Sequence, residues 1–186
     1  MSDRPQPRMI AGPMPLIGLL VMTIAPLAGS PDNGPTMSVR FTRGGAWTDA
    51  IVKLLGEATS RILVQAYSFT AAPIAEAFLD AHKRDVQVQV LLDKSQRIEQ
   101  DAGADFLANQ GVPTMIDTDH TISPIKVMVI DSETVTTGSF TFMKAAEEKN
   151  AENLLIIRDT ALAAQYTQNR QAHAQHSQPY VGRGVR

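Results

Sequence analysis

Between Lys126 and Ser139 the chain has few ways to fold. Val127, Met128, Val129 and Ile130 form an unbroken apolar run, the pattern of a strand buried on both faces. Asp131-Ser132-Glu133 interrupts it as a turn. The β-branched stretch 134–137 resumes the sheet, and Gly138-Ser139 ends it. A two-strand excursion of this kind brings Lys126, at the start of the first strand, close to Ser139, at the end of the second. An ammonium beside a hydroxyl and exposed backbone N–H groups is a phosphate-binding arrangement.

Upstream, strand and helix patterns alternate. Residues 38–42 read as a first, edge strand, and Gly44-Gly45 breaks it. From Trp47 to Ala58 the spacing predicts a helix with Trp47, Ile51, Leu54, Leu55 and Ala58 on one face. Trp47 is read as the end of that stripe rather than as a stacking platform for a base. Residues 61–67 are a buried strand, and Thr70 is the expected N-cap of a helix from Ala72 to about His82. A strand over 86–92, a helix over 98–110 closed by Gly111, a strand over 112–116 and a last helix from Ala161 to about Ala174 complete the pattern. This order predicts an α/β domain with a mixed β-sheet sandwiched between helices. Lys94 follows the strand over 86–92, where ligands gather in open α/β sheets. It is a candidate substrate contact, with a solvated loop lysine as the equal alternative.

The chain's 186 residues suit one well-filled domain, and a net charge of −2 supplies no global basic field for nucleic acid. Affinity for a polyanion would have to come from a local groove. The absence of cysteine excludes disulfides and thiolate metal sites. Residues 1–30 read as a signal peptide: Arg4 and Arg8 precede an uncharged apolar segment, and Ala28-Gly29-Ser30 offers a cleavage site. A membrane anchor is the weaker reading, because the apolar core over 16–27 is short and contains Pro26. The expectation is therefore a periplasmic or secreted protein with no stable transmembrane span in the mature chain. Residues 31–37 are expected as a linker, 38–176 as the domain and 177–186 as a disordered tail. His173 and His176 are spaced for one helix face. With no third ligand nearby and a Gln-rich setting, a solvated face without metal is expected.

The central stretch resembles the signature of the phospholipase D superfamily, His-x-Lys-x4-Asp-x6-Gly-Ser-x-Asn, with Lys126, Asp131, Gly138 and Ser139 in register. The following KAAEEKNAEN resembles the segment after the motif in small bacterial endonuclease-like members, where an acidic residue, here Glu152, orients the histidine. The likeness extends from about Phe41 to Tyr180. It implies a phospholipase D/nuclease-like domain and metal-independent phosphodiester hydrolysis without a cofactor. A histidine attacks phosphorus while lysine and asparagine hold the non-bridging oxygens. It also implies a homodimer, since two motifs build one site. A two-fold interface would bring Lys126, Ser139, Thr141 and Glu152 to their copies around a phosphodiester of nucleic acid or phospholipid.

Two positions depart from the signature. Pro124 stands where the nucleophilic histidine belongs, and Thr141 where the asparagine belongs. Proline can neither attack nor carry a proton, a loss on the order of 10⁴ to 10⁶ in rate. Thr141 keeps a hydroxyl but lacks the amide donor. Glu152, without its histidine, is expected to turn to Lys126. His120 lies roughly 13 Å from position 124 if the chain between them is extended, and is expected as a solvent-exposed loop residue. The resulting expectation is a weak or inactive phosphodiesterase. The alternatives are a catalytically dead dimer that grips phosphodiesters or nucleic acid, and a purely structural role.

Overall fold

The computed structural model describes residues 34–41, 46–68, 70–97, 102–143 and 150–183. The signal peptide expected over 1–30 lies outside them. The elements are β1 (Thr36–Phe41), α1 (Ala46–Glu57), β2 (Arg61–Ala66), α2 (Ala72–Lys83), β3 (Gln87–Leu92), a 3-10 turn (Lys94–Arg97) and α3 (Ala102–Asn109). They continue as β4 (Thr114–Asp117), β5 (Lys126–Ile130), β6 (Thr134–Gly138), β7 (Asn153–Arg158), α4 (Thr160–Gln175) and β8 (Ser177–Pro179). The eight strands form a mixed sheet in the order β1-β7-β6-β5-β2-β3-β4-β8. The β2–β3 and β3–β4 pairs are parallel, and the other neighbours are antiparallel.

The unbroken apolar run of β5 serves two cores. Met128 and Ile130 join the larger one with Ile51 and Leu55 of α1, Ile74 and Phe78 of α2, and Leu107 of α3. Val127 and Val129 face the opposite side with Leu63, Val135 and Ala163 of α4. Helices therefore cover both faces, and the mixed sheet between helices is observed. Burying each of these large side chains stabilises the fold by about 1.5–3 kcal/mol. Trp47 is buried and packs against Phe140 with the rings tilted and their centroids 4.8 Å apart, so it is core and not a platform for a base.

The helix expected over 98–110 appears as α3 over Ala102–Asn109, and residues 98–101 lie outside the described residues. Three local expectations change. The N-cap of α2 is Ala71, with no side-chain cap, and a proline occupies the first turn. Thr70 instead donates its backbone N–H to the carbonyl of Phe142 (3.0 Å), tying this loop to the segment after β6. At the C-terminus, the tail expected to be disordered forms β8 against β4. Tyr180 then donates to Asp105 at 2.6 Å, and Arg183 pairs with the same carboxylate. The polar sequence concealed this because β8 contributes backbone groups that cover an open sheet edge, with little apolar surface. At the other end β1 starts at Thr36, so the strand takes in the end of the expected linker.

Candidate phosphate site

Register decides which residues meet. Ala66 pairs with Lys126 on one side and Leu92 on the other, Leu92 with Ile116, and Gly138 with Leu154. The C-terminal ends of β2, β3 and β4 thus share one sheet end with the start of β5, the end of β6 and the start of β7. Ligands collect at such ends, and Lys126, Ser139, Glu152 and Lys94 all stand on this one.

Lys126 Nζ donates to the carbonyl oxygen of Pro124 at 2.9 Å. An ammonium carries three donors, so two more can serve an anion. Ser139 Oγ accepts from the backbone N–H of Asn153 at 3.0 Å, with Asn153 Nδ2 at 3.5 Å. With its oxygen used as acceptor, the hydroxyl is set to donate elsewhere. The bend that delivers Ser139 depends on Gly138, whose φ is +152° and where a Cβ would overlap the carbonyl oxygen of Asn153. Thr141 lies between Phe140 and Phe142, both in the core, and its own side chain is half-buried. Glu152 accepts from Asn150 Nδ2 at 3.0 Å.

The loop before β5 is pinned by a buried carboxylate. Asp93 accepts from the backbone N–H of Ser95 at 2.8 Å and from that of Ser123, the residue before Pro124. Pro124 itself is exposed, and so is Lys94 on the adjoining 3-10 turn.

Asp131 is not part of this constellation. It follows β5 at the strand's far end, where its carboxylate accepts from the backbone N–H groups of Thr59, Ser60 and Arg61 and from the hydroxyls of Thr59 and Ser60. Burial raises its pKa, but these hydrogen bonds outweigh that and lower it from 3.8 to about 2. The motif aspartate is a structural clamp, because a five-residue strand separates it from Lys126.

The chain has four histidines, and each is located. His82 ends α2. The other three surround Asp117: His120 Nδ1 and His173 Nδ1 lie 3.1 and 3.0 Å from Asp117 Oδ2, and His176 Nδ1 lies 3.2 Å from Oδ1. This corrects one expectation: His173 and His176 do have further ligand-type neighbours, brought from the β4–β5 loop by the sheet. His120 is an exposed loop residue, as expected, but its ring is turned toward Asp117, so no imidazole stands in at Pro124.

Asn153, Asp93 and Asp117 escaped the sequence reading, since each acts through a partner distant in sequence. The one available signal was Asn153's position directly after Glu152. Among the described residues, no helix is long and apolar enough to cross a membrane.

Residues 51–173 match the family described as "Cardiolipin synthase, PLD-like domain". The chain is 38% identical over 133 residues to phospholipase D of Rickettsia typhi, spanning 72% of this chain and 65% of that protein's length. It is 31% identical over 121 residues to mitochondrial cardiolipin hydrolase of Xenopus laevis, spanning 65% of this chain and 57% of that one. Among solved structures it is similar to Nuc from Salmonella typhimurium, a phospholipase D family member, with a TM-score of 0.75 and 33% identity over 78% of this chain and 98% of that one. NucT from Helicobacter pylori shares the fold, at a TM-score of 0.70 and 20% identity over 78% and 99% of the two chains.

Proposed function

The chain belongs to the phospholipase D superfamily, and from that premise we propose a phosphodiesterase site whose phosphate-holding half is assembled and whose nucleophile is missing. The observation that carries this reading is the exposed proline at position 124, two residues before Lys126, with all four histidines placed elsewhere. Lys126, the Ser139 hydroxyl and the Thr141 hydroxyl hold non-bridging oxygens of a phosphodiester, from phospholipid or nucleic acid. Pro124 supplies only a carbonyl, which orients the Lys126 ammonium. Without an imidazole, in-line attack on phosphorus has no group to start it and none to protonate the leaving oxygen. The site is completed by a second copy across a two-fold axis, which doubles the lysines around the phosphate. Export of the chain, with residues 1–30 as its signal, belongs to the same proposal. The second reading, a dimer that binds phosphodiesters without cleaving them, is favoured by the same missing imidazole.

The test is hydrolysis of a generic phosphodiester and of plasmid DNA, with and without EDTA, beside Pro124→His and with circular dichroism to verify the fold. An inert parent and an active histidine variant support the proposal. Salt-dependent DNA binding by the inert parent supports the binding reading. Cleavage by the parent overturns it and makes His120→Ala the next variant. A folded Pro124→His protein as inert as the parent shows that more than the nucleophile is absent.

A further inference from the structure

Asp117 ends β4, His120 follows in the next loop, His173 occupies the last turn of α4, and His176 caps that helix. Each offers one ligand atom, and the four atoms lie within 4.8 Å of one another. The cluster lies on the same sheet end as the phosphate site but apart from Lys126, since β4 and β5 are three strand spacings apart in the sheet, roughly 14 Å. We infer that Asp117, His120, His173 and His176 form a structural site for a divalent transition metal of the zinc type.

The donor set selects the metal. Three imidazoles and one carboxylate suit zinc, whereas calcium and magnesium take oxygen ligands and copper(I) prefers sulfur. Four protein ligands close the coordination shell, which makes the site structural and not catalytic. Bonds of about 2.0–2.1 Å give tetrahedral edges of about 3.3 Å. The Nδ1 atoms of His120 and His173 stand 3.1 and 3.0 Å from Asp117 Oδ2 and that of His176 3.2 Å from Oδ1, and with all four ligand atoms within 4.8 Å a bound ion draws the wider pairs together.

The competing explanation is a cluster held by hydrogen bonds alone. It accounts for His120 and His173, whose Nδ1 atoms are aligned on Asp117 Oδ2. It does not account for His176. That Nδ1 is buried and within ion-pairing distance of Asp117, yet it is not aligned as a hydrogen bond and has no hydrogen-bond partner. A buried nitrogen left so is unfavourable, and its lone pair is what a metal uses. Further contacts hold the ligand backbone: Thr118 Oγ1 donates to the carbonyl of His176, and Ser177 Oγ to that of His173, both at 2.7 Å. His120, 44% exposed, gives an ion a way in.

A metal here staples the end of α4 to the loop that leads to Pro124, a cross-link in a chain without cysteine. The test uses the full chain, stripped with a chelator and then titrated with Zn²⁺ or Co²⁺. The expected result is one metal per chain, a visible Co²⁺ spectrum of tetrahedral type, and a Tm that rises with Zn²⁺. His176→Ala and His120→Ala should each weaken Zn²⁺ binding by about tenfold or more, while His82→Ala leaves it unchanged. Because His120 lies on a loop, its truncation probes the site without unsettling α4. A folded full chain that takes up neither metal overturns the inference, as does Zn²⁺ binding that both cluster variants leave intact.

Discussion

Lys126 and Asp131 stand at opposite ends of β5, and only the lysine faces the phosphate end of the sheet. Asp131 lies in a tight turn with φ of +52°, a conformation aspartate tolerates, and receives five hydrogen bonds from Thr59, Ser60 and Arg61. Its carboxyl is lowered from 3.8 to about 2, so the unfolded chain binds more protons than the folded one between those values. Its stabilisation is complete above about pH 4 and is lost as pH falls through about 2. Asp131→Asn should lower stability at neutral pH by roughly 1–2 kcal/mol, a figure discounted for partial exposure. Urea unfolding of both proteins from pH 7 to pH 2 should show the gap closing at the acid end. A constant gap would refute the clamp.

Lys126→Met should weaken binding of inorganic phosphate or a phosphodiester by about tenfold to a hundredfold, the worth of one charge-assisted hydrogen bond. Titration calorimetry reads this directly. Asp131→Asn, at the far end of the strand, should leave phosphate affinity unchanged.

Gly138→Ala tests the bend. The added Cβ would overlap the Asn153 carbonyl in a backbone conformation that L side chains rarely adopt. The expected cost is about 1–3 kcal/mol of stability, together with weaker phosphate binding, because Ser139 can no longer rest on Asn153. Unchanged denaturant midpoint and affinity would show that the bend is not needed.

Tyr180→Phe removes the 2.6 Å hydrogen bond to Asp105 that anchors the residues after β8. Burial raises the Asp105 carboxyl, but hydrogen bonds from Tyr180 and Arg183 and the Arg183 charge outweigh it and hold it below the ordinary range. The variant should lose about 1 kcal/mol and be cut sooner by protease beyond β8. Equal cleavage rates would argue against the anchor.

Much of the fold was legible because it rests on short-range rules. An unbroken apolar run marked β5 as an interior strand, and the largely apolar stretch over 61–67 marked β2. The two-strand excursion placed Lys126 beside the end of β6, since strand reach and turn length leave no other course. The same logic, carried one step further, separates Asp131 from Lys126, although motif spacing groups them. Pro124 was equally plain, because a missing side chain needs no geometry to establish.

Long-range pairing decided the remainder. Asp117 meets His173 and His176 only because α4 returns along the sheet and β8 closes on β4, and the local sequence around either histidine contains no trace of that partner. Asn153 reaches Ser139 through the β6–β7 register, and Asp93 reaches Ser123 across a loop. The sequence by itself determined which strands are buried, where the lysine and serine stand, and that position 124 has no nucleophile. The tertiary structure decided which carboxylates are clamps and that three scattered imidazoles share one point. Periodicity and turn chemistry act over a few residues, whereas contacts between distant segments exist only once the sheet sets their register.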